Sequence, residues 1–269
     1  MNILEHNRVA WNQHVKNGNE WTIPVTSQAI GAAARGDFQI VLTPKKPIPQ
    51  DWLGDIAQAH ILCLASGGGQ QGPLLAAAGA SVTVFDNSDA QLQRDADLSE
   101  QFHLGITTVQ GNMQDLQCFS EKSFDMIIHP VSNCFIDDIL PVWRECYRVL
   151  KEGGRLLSGF CNPISYMIDW DEADSTQMCV LKHAIPYSDL HALSPERKQQ
   201  YRQEHNPFEF GHSLSDQIQG QIGVGFVLTG FYEDTGNEVL DRFTDRFIAT
   251  RAVKLPHKTL EALKYSTGE

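Results

Sequence analysis

Short apolar runs and longer amphipathic stretches take turns between residues 50 and 160. Residues 60–65 and 81–86 are apolar or β-branched runs that read as buried strands. Residues 106–110, 123–129 and 155–160 add three more. Between them, residues 70–80, 89–102 and 135–150 carry helical spacing. The last is the clearest, with Ile136, Ile139, Leu140, Trp143, Tyr147 and Leu150 on one face, and Gly153-Gly154 ending it. Strands separated by helices of this length predict a parallel sheet covered on both faces. The alternation stops after Phe160. Residues 161–211 hold Pro163, Pro186, Pro195 and Pro207, several aromatics and one helical stretch at 195–205. Order returns with a helix at 214–222 and strands at 225–232 and 246–253. No helix separates those two strands, so they are expected to pair antiparallel. The fold class predicted is α/β, a doubly wound, mostly parallel seven-stranded sheet with an antiparallel terminal pair.

Upstream, residues 5–16 predict a helix stopped by Gly18-Asn19, and residues 27–35 a second one with Ser27 as N-cap. Three prolines between Pro44 and Pro49 forbid helix and central strand, and read as a linker. The expected organisation is an N-terminal helical extension or lid (1–49), a domain at 50–253 with an insertion at 161–211, and a tail at 254–269.

Charge narrows the partners. The chain has 269 residues, with 21 Lys+Arg against 33 Asp+Glu, a net charge of −12. Such a balance disfavours a non-specific nucleic-acid or anionic-membrane binder. The first residues lack an apolar signal core. The longest apolar stretch, 74–85, is shorter than the roughly 20 residues a membrane span needs. The six cysteines form no C-x-x-C pair, and read as reduced thiols of a cytoplasmic protein rather than metal ligands or disulfides.

The strongest local signal is Ile61-Leu62-Cys63-Leu64-Ala65-Ser66-Gly67-Gly68-Gly69-Gln70-Gln71-Gly72, where a strand turns into a helix. Glycines let the backbone adopt positive φ and let a ligand approach closely. N–H groups at the helix start suit a negative ligand group. The next strand ends in Asp86, whose carboxylate suits a ribose diol. Gly67, Gly69 and Gly72 also fit the G-x-G-x-x-G dinucleotide pattern, so the turn alone leaves the nucleotide open.

Five segments in order resemble the class I S-adenosylmethionine-dependent methyltransferases, the small-molecule (type 11) branch in particular. They are Leu62–Gly69 with Asp86, Gly111–Leu116, Ser123–Ile128, Leu150–Leu157 and the final strand pair opened by Gly225-Phe226. The family's first-strand acid is Cys63 here, its first motif glycine is Ala65, and its third-strand acid is Asn112.

The resemblance implies S-adenosyl-L-methionine as methyl donor and a small-molecule acceptor. The donor's sulfonium is already activated, so positioning and exclusion of water are the main demands. On this reading Ala65, Ser66, Gly67 and Gly69 cradle the methionyl end and Asp86 holds the ribose, with Asn87 and Gln91 at its edge. Asn112, through its amide oxygen, and Met113 meet the adenine. His129 and Val131 sit at the end of strand four, facing donor and acceptor. Trp11 and Trp21 either fold over the cofactor or anchor the extension. His129 and His212 are the general-base candidates. The 161–211 insertion is the expected acceptor cap, offering Tyr166, Trp170, Tyr187, Phe208 and Phe210. The acidic run 169–174 is a solvated loop or a site for a cationic acceptor. Two alternatives stay open: an NAD(P)-dependent oxidoreductase, and a non-catalytic S-adenosylmethionine-binding regulator.

Overall fold

The computed structural model describes residues 2–256 and 259. Most of the expected tail lies outside the described residues. The strands are β1 (His60–Leu64), β2 (Ser81–Asp86), β3 (Thr107–Gln110), β4 (Phe124–His129), β5 (Leu150–Cys161), β6 (Tyr187–Ser188), β7 (Phe210–Gly211), β8 (Val227–Asp234) and β9 (Phe247–Val253). Seven of them form one sheet in the order β3-β2-β1-β4-β5-β9-β8. The first five run parallel, while β9 pairs antiparallel with both β5 and β8.

The central strands read as unbroken apolar runs because both faces are covered. Alternate residues of β1 show it. Ile61 and Cys63 join one core cluster with Val82, Val84, Met126 and Ile128. Leu62 and Leu64 join the other with Phe85, Ile127, Trp143 and Leu156. All six cysteines are free thiols.

The helices used below are α1 (Ile3–Asn17), α2 (Ser27–Ala33), α3 (Gln50–Leu53), α4 (Gln71–Ala77), α5 (Asp89–Phe102), α6 (Leu140–Val149), α7 (Trp170–Thr176), α8 (Asp189–Ala192) and α9 (Pro195–Glu204). Among the described residues, no helix is long and apolar enough to cross a membrane.

Several boundaries differ from expectation for local reasons. Thr26, not Ser27, caps α2, accepting the Ala29 N–H. The helix expected from residue 135 starts at Leu140, with a 3-10 turn at Asn133–Phe135 before it. Pro141 sits in its first turn, the one place where a missing N–H costs no helical bond. The β5 strand begins at Leu150, so Gly153-Gly154 lie inside it rather than ending a helix. The helix expected at 214–222 is a π-helical turn at Ser215–Gln219 followed by a short α-turn. There Gly220 packs on Trp143, and Trp143 Nε1 donates to the Asp216 carbonyl at 2.9 Å.

The segment read as a linker is fixed to the core. Ile40, Leu42 and Ile48 are buried in the first cluster. Leu42 lies directly over Gly159, where a Cβ would fall 2.1 Å from its carbonyl oxygen. The Val131 N–H donates to that same carbonyl at 3.0 Å. The Lys45 and Lys46 N–H groups both donate to Asp234 Oδ2 at 2.9 Å.

Candidate active site

A cavity of about 360 Å³ opens at the carboxyl ends of β1, β2 and β4. That is where the strand order reverses, the place at which open α/β sheets bind ligands. Its floor begins at the glycine turn. Ala65 takes φ +47°, a left-handed conformation at a residue with a Cβ. A Cβ at Gly67 would fall 2.8 Å from Gln91 Cβ, and one at Gly68 2.8 Å from Gln91 Oε1, so neither position has room for a side chain.

The turn's N–H groups are already engaged. Gly67 N–H donates to Asp86 Oδ2 at 2.9 Å. Gly68 and Gly69 N–H groups both donate to Asp95 Oδ2 at 3.0 Å. Two carboxylates of the chain thus occupy the N–H groups of the three glycines. Asp95 is fully buried on α5, and burial raises its carboxyl to about 7 against the pull of those two bonds. Its signal in the sequence is an acid one turn from both Leu92 and Leu98 on an apolar face.

Asp86 lines the cavity with each oxygen half used, since Oδ1 accepts the Ser88 N–H at 2.8 Å. Burial raises its pKa, partly offset by bonds from backbone N–H groups. Beside it, Ser66 and Gln91 are buried in the cavity wall, and Ser66 Oγ and Gln91 Oε1 have no hydrogen-bond partner in the chain. Buried polar atoms without partners are rare and call for an occupant that supplies them. A ribose diol, an amine and a carboxylate would do so, and the donor set fits S-adenosylmethionine.

Asn87, Asn112, Met113 and Val131 also line the cavity. The Asn112 amide oxygen accepts the Gln114 N–H at 3.0 Å, leaving one lone pair for a ligand. Trp11 and Trp21 line it from the N-terminal side. The Trp11 ring meets Phe135 edge-on at 5.1 Å. The α1 helix is tied to both sides of the opening. Asn12 and Arg8 donate to Asp89 Oδ1, at 2.7 and 2.8 Å. Asn7 Nδ2 donates to the carbonyls of Phe135 and Phe208, both at 3.0 Å, and its oxygen accepts the Phe208 N–H at 2.9 Å.

Three expected site residues lie elsewhere. Gly69 does not line the cavity: a Cβ there would face Pro24 and Leu98. His129 and His212 are not at the cavity either, which corrects their reading as bases facing the acceptor. His129 is fully buried, its Nδ1 donating to the Leu64 carbonyl at 2.9 Å and its Nε2 lying 2.6 Å from the Asn133 side chain. Burial lowers its pKa, which keeps the ring neutral. His212 Nε2 donates to the Asn133 and Ile136 carbonyls at 3.0 and 3.1 Å. Both rings hold the loop after β4, and it is Cys134, Phe135 and Ile136 of that loop that reach the cavity.

From the insertion, Tyr166 and Trp170 reach the cavity, whereas Tyr187, Phe208 and Phe210 do not. The acidic run is largely spoken for. Asp169 caps α7 and pairs with Lys182, and Asp171 pairs with Arg197 at 3.0 Å. Among the unforeseen cavity residues is Glu209, which accepts the Tyr166 hydroxyl at 2.8 Å. Its signal was an acid between two aromatics, Phe208 and Phe210.

The chain is similar to known proteins in sequence and in fold. A family model described as a methyltransferase domain matches residues 62–158. The chain is 49% identical over 253 residues to the "Uncharacterized methyltransferase YbaJ" of Bacillus subtilis (strain 168), over 94% of this chain and 99% of that one. Among solved structures, an S-adenosylmethionine dependent methyltransferase from Mesorhizobium loti superposes with a TM-score of 0.58 at 17% identity, over 76% of this chain and 94% of that one. A geranyl diphosphate C-methyltransferase from Streptomyces coelicolor A3(2), solved with Mg2+, geranyl diphosphate and S-adenosyl-L-homocysteine, gives 0.57 at 13% identity, over 95% and 99%.

Proposed function

The chain belongs to the class I S-adenosylmethionine-dependent methyltransferases, and we propose that it methylates a small molecule held in the cavity described above. That membership sets the oxidoreductase alternative aside. The observation carrying the proposal is the pair of partnerless buried atoms, Ser66 Oγ and Gln91 Oε1, in the same cavity wall as Asp86.

Bound there, S-adenosylmethionine supplies an electrophilic methyl group. The chain's own residues then bind, orient and exclude water. Asp86 accepts the ribose hydroxyls, and Ser66 and Gln91 meet the methionyl and ribose edges. Met113 packs on the adenine and Asn112 offers its remaining lone pair. Trp11 and Trp21, carried by the N-terminal segment, close the opening against water. Holding the acceptor in line with the transferred methyl is worth several kcal/mol of barrier, on the order of 7–11 where geometry is ideal. No triad is required for such a reaction. The cavity's volume of about 360 Å³ favours a small acceptor, as does the net charge of −12. Residues 1–49 act as the lid segment and 161–211 as the acceptor cap. Six free cysteines suit a cytoplasmic setting.

Isothermal titration with S-adenosylmethionine, S-adenosylhomocysteine and NAD+ tests the reading. The first two are expected to bind and the third not. Binding of NAD+ alone would reject the proposal. Methyl transfer to any member of a small-molecule acceptor panel separates an enzyme from a non-catalytic binder.

A further inference from the structure

Beyond the donor-binding residues, the cavity is walled by Ser165, Tyr166, Trp170, Glu209, Arg246 and Phe247. Two of these carry charge, and they differ. Arg246 is committed within the chain. Its Nε donates to Asp241 Oδ2 at 3.1 Å, and its guanidinium lies 5.0 Å from the Trp170 ring and 5.2 Å from the Phe247 ring. Glu209 is held in place but not neutralised. Tyr166 Oη donates to its Oε2, and its backbone N–H donates to Asp189 Oδ2 at 2.7 Å. The titratable groups that interact with it are Tyr166 from the turn after β5, Cys134 from the loop after β4, Tyr187 of β6, Asp189 of α8 and Tyr201 of α9. None is cationic. Burial raises the Glu209 carboxyl to about 7, with Asp189 adding to it and Tyr166 opposing.

A half-buried carboxylate with no cation paired to it, in a cavity lined by aromatic faces, is complementary to an ammonium group. We propose that Glu209 is the acceptor-binding carboxylate of this enzyme, and that the acceptor is an amine on an apolar body. This rests on the methyltransferase reading above. The amine enters as its ammonium form and pairs with Glu209. One N–H proton passes to a carboxylate oxygen, and the bonding pair stays on nitrogen as a lone pair. That pair forms the new nitrogen–carbon bond to the methyl group. The carbon–sulfur bond breaks with its electrons on sulfur, leaving S-adenosylhomocysteine and a methylated ammonium product. Charge is conserved in each step: the ammonium and carboxylate become a neutral amine and carboxyl, and the positive charge then passes from sulfur to nitrogen with the methyl group. A carboxyl titrating near neutrality takes and returns that proton readily. Tyr166 acts as a positioning residue, fixing one carboxylate oxygen so that the other faces the nitrogen.

The test uses the full chain saturated with S-adenosylhomocysteine, titrated with benzylamine, 2-phenylethylamine and tryptamine. The neutral 2-phenylethanol and the anionic 3-phenylpropionate serve as controls. The readouts are thermal shift and calorimetric affinity. At least one amine is expected to bind the wild type more tightly than both controls. Glu209→Gln is expected to lose about tenfold or more of that affinity, while its S-adenosylhomocysteine affinity stays within about twofold, which also shows that the variant is folded. Tyr166→Phe removes the bond that favours the charged carboxylate, so the pH at which amine binding sets in moves upward. Equal amine binding by wild type and Glu209→Gln overturns the proposal. So does tighter binding of the propionate, or an absence of amine binding to the wild type. A Glu209→Gln variant that instead loses affinity for S-adenosylmethionine but not for S-adenosylhomocysteine also overturns it, by making Glu209 the counter-ion of the sulfonium. Failure of the wild type to bind S-adenosylhomocysteine fails the methyltransferase reading itself, and is seen before any amine is added.

Discussion

The two walls of the cavity are built by different means. The wall proposed to hold the donor is made of strand ends: Ala65 to Gly67 after β1, Asp86 and Asn87 after β2, Asn112 and Met113 after β3, Val131 after β4. These ends inherit their positions from a sheet packed on both faces. The wall proposed to hold the acceptor is made of loops and short elements. Its own apolar cluster is small, with Ile168, Ala173, Val239 and Leu240 as its buried members, and α9 buries no residue at all. Beside the buried rings of Phe208 and Phe210, polar ties hold it: Asn7 to Phe208, Asp189 to Glu209, and Tyr166 to Glu209. A wall hung on a few polar ties can change its occupant without disturbing the sheet. The donor half is thus fixed by packing, and the acceptor half is adjustable.

The largest effect expected on the donor wall is in its pH dependence. Asp95 keeps a proton in the folded chain up to about pH 7 and loses it in the unfolded chain near pH 4. Between those values the folded state binds more protons, so stability falls as pH rises. Three pH units at about 1.4 kcal/mol each give a fall of about 4 kcal/mol from this group. Asp95→Asn copies the protonated form and flattens that slope. Urea unfolding at pH 5 and pH 8 measures it. An unchanged slope in the variant would assign the pH dependence to the acceptor wall, where Glu209 is also raised to about 7.

Asp86→Ala comes next. Loss of two charge-assisted bonds to a ribose diol is worth about 3 kcal/mol, on the order of 100-fold in affinity for S-adenosylhomocysteine. Calorimetry on the variant measures it. An affinity within threefold of the wild type would place the nucleotide elsewhere and dissolve the distinction between the walls.

The same distinction explains what could be read from the sequence. Five strands, their parallel order and the antiparallel final pair were legible because each strand is an apolar run bounded by helical spacing. Asp86 and the glycine turn were legible because they sit at strand ends, where position follows from the fold. The acceptor wall has no such period. Glu209 and Tyr166 are 43 residues apart and meet only through the turn after β5 and the β6–β7 pair. His129 and His212 misled because an imidazole near a strand end has the chemistry of a base. Only the carbonyls around the rings reveal that the chain uses them to hold a loop. In the sequence Asn7 is one of many polar residues in α1, yet it is almost wholly buried.

Asn7→Ala tests whether the acceptor wall depends on its polar ties. The change removes three bonds and leaves the buried Phe208 N–H without a partner. About 2 kcal/mol of stability is expected to go. Acceptor KM is expected to rise more than S-adenosylmethionine KM, as steady-state kinetics would show. Equal rises would mean that α1 serves both walls alike, consistent with its second attachment at Asp89.

The smallest effect bears on whether the donor wall is as settled as its packing suggests. Ala65 holds φ +47°, where a Cβ costs roughly 1 kcal/mol and glycine costs nothing sterically. Ala65→Gly removes that strain but adds backbone freedom to the unfolded chain, which takes back part of the gain. The net expectation is a stabilisation of about 0.5 kcal/mol, read from the denaturant midpoint at constant slope. The Ala65 methyl also packs against the apolar cluster that holds Leu62, Leu64 and Phe85. If that contact outweighs the strain, the variant is less stable instead. The sign therefore reports whether this turn is strained for the ligand's sake or relaxed by its own packing, and a loss would make the donor wall the better-adapted of the two.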